Sequence, residues 1–417
     1  MRKRKIKSSS KSNVNDIINK VIRGLRKELM DSTKELELSD VDNTRTELIV
    51  EPVVKDEISN TPKKRGRKKK VTEPTKENDS YPVEDDIDYS KIKEPKNLKL
   101  TRARKAKNDE FYTRLCDVEN ELRHYSEHFK DKIVLCNCDD STWSAFWKYF
   151  HINFKILGLK KLIGTHFENK EPHSYAVVYE GGNDDNTNDA KTEPLIKDGD
   201  FRSAECLEYL KECDIVATNP PFSLFREFIS VMEQYNVKYV VIGNPNAVTY
   251  REIFPLIRSN KLWLGYKPWS SEMYFGVNDD YKDWLLEHKK EEGSAYVIKD
   301  NKVYARNMSI WFTNLEIKKR YEDLLLYKTY NSIDYPKYDN YDAINVDKVK
   351  DIPVDYGGVM GVPITFLDKY NPNQFEIVGS SYKWCSEGIR NSDYKDLCPY
   401  VAGKPRYKRL FIRRKHS

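Results

Sequence analysis

Asp214-Ile215-Val216-Ala217-Thr218-Asn219-Pro220-Pro221-Phe222 is a short apolar run that stops in Asn-Pro-Pro-aromatic. Ile215 and Val216 suit a buried strand, and two successive prolines cannot continue a ladder because neither has an N–H to donate. The strand therefore ends near Asn219. Pro221 holds Pro220 extended and leaves the Pro220 carbonyl without a helical partner. A side-chain amide and a stiffened carbonyl thus stand together at a strand's C-terminal edge, with Phe222 beside them, and in open α/β sheets ligands bind at that edge. The pair suits an exocyclic amine, because the Asn219 side-chain oxygen and the Pro220 carbonyl can each accept one of its two N–H bonds. Phe222 can stack on the attached ring. Read alone, the same residues also make a plain strand-to-turn breaker.

Strands alternate with helices on both sides of this stretch. Upstream, Lys132 to Cys136 predicts a first buried strand, and Ser141 a cap for a helix from Thr142 to about Phe154. Lys161 to Phe167 and Tyr175 to Tyr179 read as further strands, and Asp198-Gly199-Asp200-Phe201 precedes a helix from Ser203 to about Lys211. Downstream come an amphipathic helix to about Tyr235, a strand from Lys238 to Gly243, a helix from Thr249 to Ser259 and a strand from Lys261 to Gly265. Arg306 to Thr313 reads as one more strand. This alternation predicts a doubly wound α/β domain with a mainly parallel sheet over residues 101–315. Beyond Leu315, short Tyr-, Asp-, Gly- and Pro-rich segments predict a separate, irregular recognition region over residues 316–417.

The net charge of +6 on 417 residues is unevenly placed. Residues 1–107 hold 29 Lys and Arg against 19 Asp and Glu, and residues 404–417 hold 7 basic residues and no acid, so the body between them carries −11. Basic ends on an acidic body suggest a polyanionic partner, nucleic acid above all, with solvated tails as the bland alternative. There is no run of eighteen apolar residues and no signal-peptide core, which predicts a soluble cytoplasmic protein with no membrane partner. Seven cysteines, odd in number, with Cys136-Asn137-Cys138 spaced unlike a zinc knuckle, read as mostly buried thiols, and no metal is expected.

In the basic N-terminal extension, residues 1–100, Val14, Ile17, Ile18, Val21, Ile22, Leu25 and Leu29 form a helical stripe that predicts one amphipathic helix at about 13–30. From Asp31 to Leu100 the composition is too polar to bury a core, which predicts a disordered tether. Within it, residues 63–70 centre on Arg65-Gly66-Arg67 and resemble an AT-hook, with Arg65 and Arg67 suited to the negative minor groove of A·T-rich DNA. The usual proline after the second arginine is Lys68 here, and a targeting signal or a solvated basic run fits the same residues.

Three signals stand in fixed order: Asp109-Glu110-Phe111-Tyr112-Thr113, Gly199-Asp200-Phe201 and Asn219-Pro220-Pro221-Phe222. In that order the chain resembles S-adenosylmethionine-dependent amino-methyltransferases acting on adenine in DNA. With residues 134–140, Trp311-Phe312-Thr313-Asn314-Leu315 and Gly357 to Pro372, it resembles the EcoRI-type adenine-specific modification methylases over roughly Ala103 to Lys415. The resemblance implies a Rossmann-like catalytic domain with S-adenosylmethionine as cofactor. Tyr112 and Thr113 match the segment holding its methionine end, although Arg114 stands where a proline often follows. Asp200 matches the acceptor for the cofactor's adenine amine, with Phe201 packing on the ring. Asp139 and Asp140 fall where related enzymes carry a Gly-rich loop, which this chain lacks. Asn219, Pro220 and Phe222 take the catalytic positions, and Trp311-Phe312 lies where a second wall for the target base is supplied, a core role being an equal alternative.

The resemblance also implies double-stranded DNA as partner, a monomer on DNA in a bacterial or phage-infected cell, and a cognate restriction endonuclease in the same system without stable complex. Arg409, Arg413 and Arg414 in the basic C-terminus are candidate DNA contacts. Rival readings are methylation of cytosine N4, RNA or a protein glutamine, and a non-catalytic DNA-binding protein on the same fold.

Overall fold

The computed structural model describes residues 112–415 apart from 139, 169–173, 185–188, 289–292, 294, 383–388 and 391–396. All of these fall within one unit, Tyr89–Ser417. The expected N-terminal helix, the patch with Arg65 and Arg67, and Asp139 lie outside the described residues.

In chain order the strands are β1 (Tyr112–Thr113), β2 (Ile133–Asn137), β3 (Lys161–Thr165), β4 (Tyr175–Tyr179), β5 (Lys191–Pro194), β6 (Ile215–Thr218), β7 (Lys238–Gly243), β8 (Trp263–Leu264) and β9 (Met273–Gly276). They continue with β10 (Tyr296–Lys299), β11 (Lys302–Asn307), β12 (Ile310–Thr313), β13 (Ile344–Asn345), β14 (Met360–Pro363), β15 (Phe375–Ser380), β16 (Tyr400–Val401), β17 (Lys404–Pro405) and β18 (Arg409–Arg414). Eight of them form one sheet in the order β5-β4-β3-β2-β6-β7-β12-β8. Its centre, β3-β2-β6-β7, is parallel. Antiparallel β4 and β5 extend one side, and β12 and β8 the other.

Both faces of the sheet's central strands are buried, as the period of two in a strand requires when helices cover each side. Ile133 and Leu135 of β2, Val216 of β6, Val241 of β7 and Phe312 of β12 face one apolar cluster. Val134, Cys136, Ile215, Ala217, Val240 and Trp311 face the other. Helix α1 (Leu115–Leu122) and helix α2 (Ala145–Ile152) cover the second face through Val118, Leu122, Phe146, Trp147 and Phe150. Helix α3 (Ala204–Glu212) and helix α4 (Phe225–Gln234) cover the first through Leu210, Phe225, Phe228, Ile229 and Met232. The doubly wound α/β expectation is therefore realised in its parallel core.

Four expectations need correction. Helix α2 is capped by Ser144, whose hydroxyl accepts from Phe146 N–H at 3.1 Å and Trp147 N–H at 3.2 Å. Ser141 sits earlier, in a turn that Asp140 stabilises by accepting from Thr142 N–H. The stretch from Arg306 to Thr313 is two strands in two sheets, because the chain leaves β9 at Asn307 and joins β7 at Ile310. The expected helix from Thr249 to Ser259 is a one-turn 3₁₀ segment, Pro245–Thr249, and a short helix, Phe254–Arg258. Finally, the C-terminal region holds a four-stranded sheet, β13-β14-β18-β15, whose Met360, Val362, Leu410 and Ile412 share one apolar cluster with Phe254, Ile257 and Leu264. It closes the core on one face of the large sheet and has no independent one of comparable size among the described residues.

Candidate active site

β2 and β6 are parallel neighbours, while the chain leaves β2 for β3 on the other side, so a crevice opens outside their C-terminal ends. The Thr218 side chain is fully buried there, and its hydroxyl donates to the Asn137 carbonyl, tying the two strand ends together. The next residues are Asn219, Pro220 and Pro221. Leu224 N–H donates to the Pro221 carbonyl at 2.9 Å and folds Phe222–Leu224 into a single 3₁₀ turn. Phe222 is half-buried against the cluster that contains Trp311 and Phe146. The turn thus holds an amide, a carbonyl and an aromatic ring at the switch point, as the tetrapeptide predicts.

A second edge comes from β1. Tyr112 pairs with Gly276 and Thr113 with Phe275 of β9. A Cβ on Gly276 would stand 3.2 Å from the Tyr112 Cβ, so the close pairing favours glycine. The Tyr112 ring meets Trp143 edge-on with centroids 4.5 Å apart, which fastens β1 to the loop that follows β2. The Thr113 hydroxyl is shielded from solvent and has no hydrogen-bond partner among the described residues. A buried donor without an acceptor is costly unless a ligand supplies one.

In the loop after β2, Cys138 takes a left-handed φ of 75°, the conformation a glycine adopts more readily. Asp140 Oδ1 accepts from Thr142 N–H at 2.7 Å, from its hydroxyl at 2.6 Å and from the Tyr175 hydroxyl at 2.9 Å. His166 Nδ1 stands 3.5 Å from Oδ2. Burial pushes the Asp140 carboxyl up, but the Thr142 bonds, the His166 charge and the Tyr175 bond together hold it below its ordinary value. Burial, with Asp140 behind it, pushes the Tyr175 phenol up to about 12. Asp140 is therefore an ionised anchor of this loop, committed to protein partners.

The third edge is the turn at Gly199, with φ of 74°, where a Cβ would fall 2.2 Å from the His166 carbonyl oxygen. Asp200 beyond it grips Arg202, accepting from Nε at 2.9 Å and Nη2 at 2.7 Å. Phe201 is 4% exposed and packs on Phe228 at 5.1 Å. Its ring is core in this structure, so its expected place against a cofactor ring is not what the packing shows. Phe167, which follows β3, keeps 36% of its surface exposed at the same end of the sheet. Sequence reading passed over it as the last residue of a strand; the signal was an aromatic just beyond the strand's apolar run.

Other expected site residues are placed elsewhere. Trp311 and Phe312 are 1% and 0% exposed and lie on opposite faces of β12, Trp311 against Phe146 and Phe312 against Phe225. Neither can wall a base, because successive residues of a strand point to opposite faces and both faces are covered. Arg409 is 5% exposed and donates to Asp347 Oδ1 at 2.9 Å and to the Tyr338 hydroxyl at 3.3 Å. It is an internal strut of the C-terminal sheet and not a DNA contact. Arg413 is exposed and pairs with Glu376 at 3.0 Å, and Arg414 is half-buried. Among the described residues no group of three or more His, Cys, Asp or Glu is placed to hold a metal ion.

Residues 99–415 match the family described as "Adenine-specific methyltransferase EcoRI". The chain belongs to this family. It is 45% identical over 332 residues to "Type II methyltransferase M.EcoRI" of Escherichia coli, covering 76% of this chain and 97% of the relative. It is 43% identical over 284 residues to "Type II methyltransferase M.MgeORF184P" of Mycoplasma genitalium, covering 67% and 85%. It is 40% identical over 328 residues to "Type II methyltransferase M.MpnI" of Mycoplasma pneumoniae, covering 76% and 98%. No solved structure matches. As an adenine-specific methyltransferase the chain is an enzyme whose expected amine acceptor, adenine, is the one the Asn219-Pro220 turn suits.

Proposed function

We propose that the chain transfers a methyl group from S-adenosylmethionine to the N6 amine of adenine within a specific sequence of duplex DNA. The observation that carries this reading is the Asn219-Pro220-Pro221-Phe222 turn at the C-terminal end of β6, beside β2, in a chain of an adenine-specific methyltransferase family. The three relatives are named type II methyltransferases, which supports site-specific modification of DNA. A Rossmann-like reading of the eight-stranded sheet places the cofactor in the crevice between β1, the loop after β2 and the Gly199 turn.

The residues present fit that cofactor. The Thr113 hydroxyl, without a partner among the described residues, supplies a donor for its carboxylate, and Phe167 supplies an exposed aromatic for its adenine ring. Asp200 can reach the adenine amine only by sharing its carboxylate with Arg202. When bound, S-adenosylmethionine supplies an electrophilic methyl group on sulfur. Asn219 Oδ1 and the Pro220 carbonyl each accept one N–H bond of the target amine, drawing the nitrogen toward tetrahedral geometry and freeing its lone pair. The lone pair so freed would accept that methyl group, and the extra proton on nitrogen would pass to water. Alignment of this kind supplies about 7–11 kcal/mol of a barrier. Adenine must leave the helix to reach the turn, and stacking on Phe222 offsets an unstacking cost of a few kcal/mol.

The C-terminal sheet and the segment between β8 and β11 serve target recognition in this reading, and the basic N-terminal extension adds non-specific DNA affinity. The enzyme acts as a monomer on DNA, in the cytoplasm, without a stable complex with an endonuclease. Among the described residues no helix is long and apolar enough to cross a membrane.

The test offers the full chain isotope-labelled S-adenosylmethionine with DNA, RNA or protein, followed by nucleoside analysis. The expected product is N6-methyladenine from DNA alone, abolished by Asn219→Ala while cofactor binding persists. Label in RNA, protein or cytosine N4, or none in DNA, overturns the reading.

A further inference from the structure

β1, β9, β10 and β11 form a separate four-stranded sheet in the order β1-β9-β11-β10. Directly paired residues share a face of a sheet. Tyr304 stands opposite Gly276 and Arg306 opposite Tyr274. On the neighbouring hairpin Lys299 stands opposite Lys302, across the two-residue turn of Asp300 and Asn301 with φ of 50° and 57°. Alternation along β11 therefore sets Lys302, Tyr304 and Arg306 on one face with Tyr274 and Lys299. Arg114 joins them, its guanidinium 5.2 Å from the Tyr274 ring centre, while the Lys299 ammonium lies 4.1 Å from that centre.

The opposite face, with Met273, Phe275, Tyr296 and Ala305, is buried. The acidic helix Asp279–His288 packs there through Leu285 on Tyr296 and Ala305, so it does not cover the cationic face. Two of the four cations have carboxylate partners, Arg114 with Asp117 at 2.8 Å and Arg306 with Glu272. The excess charge rests on Lys299 and Lys302, which are exposed and set side by side. Like charges directly opposite on neighbouring strands repel. The sheet thus holds a repulsive basic pair on a body that is otherwise acidic, net −11 between residues 108 and 403. A polyanion lying across it offsets that repulsion.

We propose that this face docks the sugar–phosphate backbone of the substrate duplex, with Lys299 and Lys302 as phosphate contacts. The inference rests on the reading of the chain as a duplex DNA methyltransferase. The same sheet carries Tyr112 and Thr113, and Tyr112 touches Trp143 of the loop after β2, so a strand held here lies beside the cofactor crevice. Phosphate contacts of this kind position DNA and carry no sequence information.

The test compares the full chain with the double variant Lys299→Gln/Lys302→Gln, following binding to a short DNA duplex by fluorescence anisotropy. Salt is varied between about 50 and 200 mM, where phosphate contacts dominate the slope. Two lost contacts make the slope of log affinity against log salt shallower by about 1.8, equally for cognate and unrelated sequences. Cofactor binding, measured by calorimetry on the same samples, reports folding. Lys160→Gln/Lys238→Gln, which removes the same charge at the N-terminal ends of β3 and β7, away from the end where the crevice opens, is expected to keep the parent slope. An unaltered slope in the first variant, or an equal change in the second, overturns the inference alone. A parent chain that binds duplex RNA but no DNA overturns both this inference and the function on which it rests.

Discussion

The Thr218 hydroxyl donates its hydrogen bond to the Asn137 carbonyl, joining the last residue of β6 to the last residue of β2 directly before the Asn-Pro-Pro turn. Both residues are buried, so neither can exchange this bond for water. Thr218→Val keeps the shape and removes the donor, leaving the carbonyl short of a bond at a cost of about 1–3 kcal/mol. The larger effect falls on rate, because Asn219 follows immediately and a displacement of about 1 Å in a positioning group can cost roughly a hundredfold. Single-turnover methylation by Thr218→Val is expected to slow by about ten- to a hundredfold, with cofactor affinity nearly that of the parent. A full-speed variant would show that Asn219 is positioned by something else.

Thr113 offers a cleaner separation of binding from folding. Its hydroxyl is buried without a partner among the described residues, so in the free protein it contributes nothing that Thr113→Val would remove. The variant is expected to melt at the same temperature as the parent or slightly higher. Cofactor affinity is expected to weaken by roughly ten- to a hundredfold, the equivalent of one hydrogen bond to a charged group. Calorimetric titration with S-adenosylmethionine checks this, and an unchanged Kd would place its carboxylate elsewhere.

The strand-helix alternation and the Asn-Pro-Pro turn were legible from the sequence because each rests on local signals: β-branched runs and two prolines. What was not legible depends on contacts far apart in the chain. β5 reads Lys191 to Pro194 with every residue exposed, so no apolar alternation marks it, and its place comes only from pairing with β4. Arg306 to Thr313 looks continuous, yet Met308 and Ser309 carry the chain from one sheet to another. Arg409 looks like part of a basic tail, and only the fold brings Asp347 and Tyr338 to it. Trp311 and Phe312 illustrate the same limit, since aromatic residues at the right place in a sequence do not reveal that both faces of their strand are covered.

Glu121 shows how a buried acid holds the crevice's supporting elements. It is 2% exposed and accepts from Tyr266 N–H at 2.6 Å, Lys267 N–H at 2.8 Å and the Tyr125 hydroxyl at 2.8 Å, fastening α1 to the loop between β8 and β9. Burial raises its carboxyl above the ordinary 4.5, against the lowering effect of the Tyr266, Tyr125 and Lys267 bonds and the Lys319 charge. A raised acid in the folded state binds a proton that the unfolded chain has already released. Stability from this group therefore falls as pH rises from 4.5 through the folded value. Relative to Glu121→Gln, the parent is expected to lose stability over that window in urea titrations at stepped pH. A difference that stays flat or grows with pH would mean that the three bonds outweigh burial.

Arg409 and Arg413 differ by four positions on β18 and are expected to fail in opposite ways. Arg409 is buried with Asp347, Asn345 and Tyr338 around its guanidinium, so Arg409→Met removes charged hydrogen bonds worth about 1–3 kcal/mol. The cost stays at that level because Asp347 keeps 58% of its side chain exposed and recovers water when the arginine is lost. Arg413 is exposed and paired only with the exposed Glu376, and pairs of that kind are worth about 0–1 kcal/mol. Thermal or urea unfolding is thus expected to show a clear loss for Arg409→Met and almost none for Arg413→Gln. DNA binding should reverse the order, with the salt slope of Arg409→Met matching the parent and that of Arg413→Gln shallower by about 0.9, the loss of one phosphate contact. A shallower slope for Arg409→Met in a sample that is still folded would show that the buried strut opens on DNA and would return Arg409 to the binding surface.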